Sequence, residues 1–288
     1  MPFFAILLGN RKNILKKMTF LFAFFTAALP VAFWYVIIIR KKRRGMNFFF
    51  WLTFIFAAIF AVGFKYYEPS LGKFLRHDIA LNILASYIIL GVLIEYGKNI
   101  IVRLVGGHYF QGIDDVIDLS FATALGFTFA ENTIHFYSLF LQPLDYGTPI
   151  AVFKEILSRE FFILPIHLFC SGIFGYFYGV SIFATSSMEE QETQKGFAGW
   201  EFRTMSLLKG TIISTVTYGV FFMLNEIDPS ISDILKLMGV ANFPLNEKIM
   251  PIISFGFFSI GTVYLFQLME KKQFLIRQKQ IQNTPKLK

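Results

Sequence analysis

Apolar residues in this chain fall in long runs closed by short polar or charged stretches, not in the alternating pattern of a half-buried strand. Runs near 18–39, 46–64, 79–97, 119–141, 161–184, 207–224 and 249–268 are each about the length needed to cross a hydrocarbon core of roughly 30 Å. Lipid leaves unpaired backbone groups no partner, and barrel-type alternation is absent, so the runs must be helices. The pattern predicts an all-α, polytopic transmembrane helix bundle of about seven spans. The third, fourth and sixth runs carry polar residues that dilute their hydropathy. The first follows Lys16 and Lys17 and continues past Pro30 to the basic run Arg40-Lys41-Lys42-Arg43-Arg44, which reads as a retained anchor rather than a cleaved signal.

Composition agrees with the pattern. Of 288 residues, 55% are hydrophobic and only 16% charged, with 38 phenylalanines and a mean hydropathy of +0.56. A soluble domain of this size could not keep so much apolar surface from water. The net charge of +8 is concentrated at Arg40–Arg44 and in the tail from Lys271 to Lys288, which holds six basic residues. Seven spans place both clusters on the cytoplasmic side, although Arg11, Lys12, Lys16 and Lys17 then lie outside. Topology and lipid headgroups account for this charge, so the expected partner is the bilayer and no nucleic acid is implied. The predicted location is the cytoplasmic (inner) membrane, multi-pass. A single cysteine, Cys170, excludes an internal disulfide framework. The predicted organisation is a two-span N-terminal anchor region over 1–78, a core over 79–225, and a last span with a basic tail over 226–288. The polar stretch Ser186–Arg203 is expected to be a mobile loop outside the membrane.

Ionisable residues inside spans cost roughly 2.5–3.5 kcal/mol each on insertion scales, so those retained mark pairing, a water-lined cavity or chemistry. Glu95 ends the run Ile88–Ile94, and Lys98 lies on the same helix face three residues on. A helix-end ion pair explains the two equally well. Glu131 lies in an otherwise largely apolar stretch, about 20 Å along the helix from Asp118, with Asn132 next to it. A lone buried carboxylate there would protonate. His167 follows Pro165 in mid-span, with Gly172, Gly175 and Gly179 downstream for close helix packing. Asp114, Asp115 and Asp118 suit a helix N-terminus, and His77 and His108 receive no role. GxSxG, Walker A, HExxH, GxGxxG and CxxC patterns are all absent.

At these residues the sequence resembles the PrsW family of membrane-embedded proteases, related to the prenyl-protein CAAX proteases and bacteriocin-processing enzymes. The family's Glu-Glu-x-x-Lys segment reads Ile94-Glu95-Tyr96-Gly97-Lys98, lacking the first Glu. Gly-Phe-x-x-x-Glu-Asn is intact as Gly126-Phe127-Thr128-Phe129-Ala130-Glu131-Asn132. The His motif matches His167 through Gly175-Tyr176-Phe177-Tyr178-Gly179, with Arg159 upstream where the family often has Arg. A late family histidine is replaced by Tyr218.

The resemblance implies intramembrane hydrolysis of a membrane-anchored protein, in the best-known branch an anti-sigma factor. Peptide hydrolysis within the membrane needs a base for water and donors for the oxyanion. Glu95 and Glu131 are the candidate bases, His167 the donor or acid, and Lys98, Asn132 and Arg159 the supporting residues. A zinc ion held by Glu95, Glu131 and His167 is the alternative to cofactor-free glutamate catalysis. Two other readings stand beside protease: a catalytically impaired member acting as a membrane scaffold, and a small proton-coupled transporter using Glu131 and His167. The absence of an inverted repeat argues against the transporter.

Overall fold

The computed structural model describes residues 2–39, 46–78, 83–141, 149–189 and 196–226. The seventh predicted run, 249–268, and the basic tail lie outside these residues. The described chain is helical: α1 (Pro2–Ile39), α2 (Met46–Lys73), α3 (Ile83–Gly106), α4 (Ile113–Leu141), α5 (Pro149–Ser158), α6 (Leu164–Glu189) and α7 (Gly196–Glu226). Single π-helical turns follow α2 (Phe74–Asp78) and precede α6 (Arg159–Ile163).

The first six predicted runs each fall on a helix, and the amphipathic α5 is an addition. The two ends of the polar stretch after Ser186 are helical: α6 continues to Glu189 and α7 starts at Gly196. A helix tolerates polar residues once it has left the apolar layer, because its backbone hydrogen bonds are already made within it.

Among the described residues, four segments are long and apolar enough to cross a membrane: Lys16–Val36, Asn47–Lys73, Leu164–Phe183 and Arg203–Phe222. Helices α3 and α4 are not among them; they carry Glu95, Lys98 and Asn99, and Glu131 and Asn132, all of which are buried. Their polar groups face protein while α1 and α2 face outward with Phe22, Phe25, Leu29, Phe33, Phe48, Ile55 and Ile59, an apolar surface suited to lipid.

Helix α4 is the centre of the bundle, packed against α1, α2, α3 and α6. Two close approaches set its neighbours. A Cβ at Gly126 would collide with the Phe54 carbonyl, so glycine lets the α2 backbone lie against α4. Gly175 and Gly179 seat α6 against Ile117, Ser120 and Ile113, as the small-residue spacing predicted. Phe49 stacks near Tyr109 and Phe60 near Phe127, so α2 and α4 run in the same direction. Helix α6 runs the opposite way, with Gly179 at Ile113 and His167 at Glu131. The late part of α4 and the start of α6 therefore meet at one end of the bundle. Glu131 sits ten residues before the α4 terminus at Leu141, about 15 Å from that end.

Candidate active site

Helices α2, α3, α4 and α6 and the π-turn before α6 bring charged side chains to this depth. On α3, Glu95 and Lys98 face inward one turn apart, 2% and 1% exposed. Lys98 Nζ lies 2.6 Å from Glu95 Oε1, donates to Ser171 Oγ at 2.9 Å and meets His167 Nδ1 at 3.3 Å. Ser171 Oγ in turn donates to Glu95 Oε2 at 3.3 Å. The ammonium thus has a carboxylate as ion-pair partner and two acceptors, Ser171 Oγ and His167 Nδ1, for its protons. Lys98 is a cation here, not a base, so it cannot activate Ser171 as a nucleophile.

His167 joins this group to Glu131. Since an ammonium only donates, Nδ1 accepts from Lys98 and the ring proton sits on Nε2, which donates to Glu131 Oε2 at 3.2 Å. Phe127 and Tyr218 flank the imidazole, with ring centroids 5.2 and 5.3 Å away.

Glu131 is 3% exposed, yet it is far from the lone carboxylate the sequence suggested. Its Oε1 faces Lys65 Nζ of α2 at 3.0 Å and accepts from Arg159 Nη2 at 3.1 Å. With two cations and an N–H donor converging on it, the surroundings are built for a carboxylate rather than a neutral acid. Arg159 Nε also donates to Asn132 Oδ1 at 3.0 Å, and Asn132 Nδ2 donates to Glu160 Oε1 at 3.0 Å. Glu160 belongs to the π-turn that precedes the apolar segment of α6, where burial pushes its carboxyl up to about 8, opposed by the Asn132 hydrogen bond and Arg159.

All six residues singled out from the sequence, Glu95, Lys98, Glu131, Asn132, Arg159 and His167, belong to this one contact network. His135, on the Glu131 face of α4, does not join it and instead meets Glu155 at 3.1 Å. Ile94 and Tyr218, the two departures from the family motifs, are both buried in the apolar cluster beside His167, together with Phe127 and Ile166. Sequence reasoning missed Lys65, Glu68, Ser171 and Glu160. Ser171 had a usable signal, one helical turn after His167. Lys65 had none, since the hydropathy run ends at residue 64 and only the structure carries α2 on to Lys73.

A family model described as PrsW family intramembrane metalloprotease matches residues 41–221. The chain belongs to the PrsW family. The match takes in α2 with its Lys65 as well as the core helices. No curated protein and no solved structure matches the chain.

The PrsW description implies a metal, and the donor chemistry tests the fit. Among the described residues no group of three or more His, Cys, Asp or Glu side chains is placed to hold an ion. Glu95 and Glu131 are each already matched to a cation, Glu95 to Lys98 and Glu131 to Lys65 and Arg159. His167 has given its lone pair to Lys98 and presents an N–H at its other nitrogen, leaving no lone pair for a metal. These residues, as arranged, do not fit a metal ion.

Proposed function

We propose that this membrane protein cleaves membrane-anchored proteins with Glu131 as the general base for water. The observation that carries the reading is the division of labour between the two oxygens of Glu131. Lys65 and Arg159 occupy both acceptor directions of Oε1, whereas His167 takes one of the two on Oε2. The remaining direction on Oε2 suits a nucleophilic water beside His167.

In that step the water oxygen bonds to the scissile carbonyl carbon while Glu131 Oε2 takes its proton. The oxyanion is stabilised by the remaining guanidinium N–H groups of Arg159, while the single N–H of His167 keeps Glu131 Oε2 aimed at the water. Collapse breaks the C–N bond, and Glu131 returns the proton to the leaving nitrogen, giving an acid and an amine. Glu95 then acts through Lys98, holding the cation that fixes the His167 tautomer. Asn132 orients Arg159. With Arg40–Arg44 on the cytoplasmic side of the cytoplasmic membrane, this end of the bundle lies toward the outer face, and a single-span protein such as an anti-sigma factor is the proposed substrate class.

Cleavage of a tagged single-span reporter tests the reading. Glu131→Gln is expected to lower the rate by at least about 100-fold, the usual contribution of a general base. His167→Ala is expected to do the same with expression unchanged. Wild-type cleavage by either variant overturns it. The second reading, a scaffold without catalysis, is favoured by the burial of Ile94 and Tyr218 beside the site. It predicts that Glu131→Gln retains partner binding and every cellular effect of the wild type.

A further inference from the structure

We infer that Lys65 of α2 is a positioning residue for Glu131, itself aimed by Glu68. Lys65 Nζ lies 3.0 Å from Glu131 Oε1 and 2.7 Å from Glu68 Oε2 one turn along the same helix. Lys65 and Glu68 are 26% and 31% exposed, whereas Glu131 is 3% exposed, so the pair sits at the edge of the site with its cation reaching inward. A lysine in a span is expensive unless partnered, and here the partnering is divided between an inner and an outer carboxylate. The Gly126 approach that lays the Phe54 stretch of α2 on α4 brings Lys65 within reach.

The consequence is geometric. Arg159 and Lys65 converge on the same oxygen from two different elements, α2 and the π-turn before α6. A carboxylate gripped at Oε1 from two directions cannot rotate about its last bond without losing both cations. Oε2 is thereby held toward His167. Lys65 does not touch reacting atoms; it fixes which oxygen meets them. Helix α2, which the sequence alone marks as a hydrophobic anchor, thus supplies part of the site.

This rests on Glu131 being the base, and the test separates the two claims. Infrared difference spectra of the full-length protein in nanodiscs, with Glu131→Gln as the subtraction partner, isolate the carboxylate stretch of Glu131. Lys65→Met is expected to shift that band, Lys65→Arg to restore it, and Glu68→Gln to shift it part-way. In reporter cleavage, Lys65→Met is expected to lower kcat about tenfold with KM nearly unchanged, and Lys65→Arg to recover most of it. An unshifted band in both Lys65→Met and Glu68→Gln overturns the inference, as does wild-type kcat in Lys65→Met. If Lys65→Met fails to fold, Glu68→Gln decides by the same band. If Glu131→Gln itself cleaves normally, the base assignment falls, while the band shift still reports whether Lys65 positions Glu131.

Discussion

Lys98 Nζ stands 3.3 Å from His167 Nδ1, and this contact determines where the imidazole keeps its proton. The ammonium leaves Nδ1 only the role of acceptor, so Nε2–H points at Glu131. Glu95 in turn holds Lys98, 69 residues before His167 in sequence. The three motif segments are therefore linked as carboxylate, ammonium, imidazole and carboxylate in series. Removing Glu95 or Lys98 leaves the other buried without its counterpart.

The Glu95–Lys98 pair is where that loss is largest, since both side chains are almost fully enclosed. Lys98→Met is expected to destabilise the protein by about 3–5 kcal/mol, because it strands the Glu95 charge in the interior. Replacing both, with Glu95→Leu and Lys98→Met together, is expected to recover most of the stability but none of the activity. Unfolding of the two single variants and the double variant checks this as a cycle. Equal losses that simply add would show that the pair is not coupled.

Much of this arrangement was legible in the sequence, for a physical reason. Lipid makes every polar residue in a span conspicuous, so Glu95, Glu131 and His167 stood out against apolar neighbours. What stayed hidden was pairing across helices. Lys65 looked like the flank of a span because lysine normally marks where a helix leaves the membrane, and nothing local reveals that α2 continues to Lys73 with Lys65 turned inward. Glu160 was hidden likewise: it precedes the apolar run of α6, and only the folded π-turn brings it to Asn132.

Glu160 gives the site a pH dependence with a definite sign. Burial pushes its carboxyl up to about 8 from an ordinary value near 4.5, so between these values the folded state binds more protons than the unfolded chain. Stability contributed by this group therefore falls as pH rises through that window. Glu160→Gln keeps the shape and removes the titration. The melting temperature of the variant relative to wild type is expected to climb from pH 5 to pH 8 and then level off. A difference that stays flat over that range would remove Glu160 as the titrating group.

Chelation distinguishes the observed donor set from a metal site. Because His167 is committed to Lys98 and Glu131 at its two nitrogens, the reporter-cleavage rate is expected to stay within about twofold after treatment with 1,10-phenanthroline or EDTA. Elemental analysis of the purified protein should then find far less than one transition metal per chain. Loss of activity restored by zinc would mean that His167 releases Lys98 in the working enzyme, and the tautomer argument would fall with it.

Gly126 provides a test of how the bundle holds the site together. It opens the Gly-Phe-x-x-x-Glu-Asn motif, and a methyl group there would run into the Phe54 carbonyl of α2. Backbone cannot step aside as a side chain can, so Gly126→Ala must separate α2 from α4, an overpacking expected to cost about 1–3 kcal/mol. Separation also draws Lys65 away from Glu131, since those two residues lie on the helices being forced apart. Gly126→Ala is therefore expected to lower both the melting temperature and the cleavage rate, with the rate loss resembling that of Lys65→Met. Gly63, by contrast, has open space where its Cβ would lie, so Gly63→Ala on the same helix α2 is the control and should leave both unchanged. Normal activity in Gly126→Ala would show that the contact between α2 and α4 is dispensable for the position of Glu131.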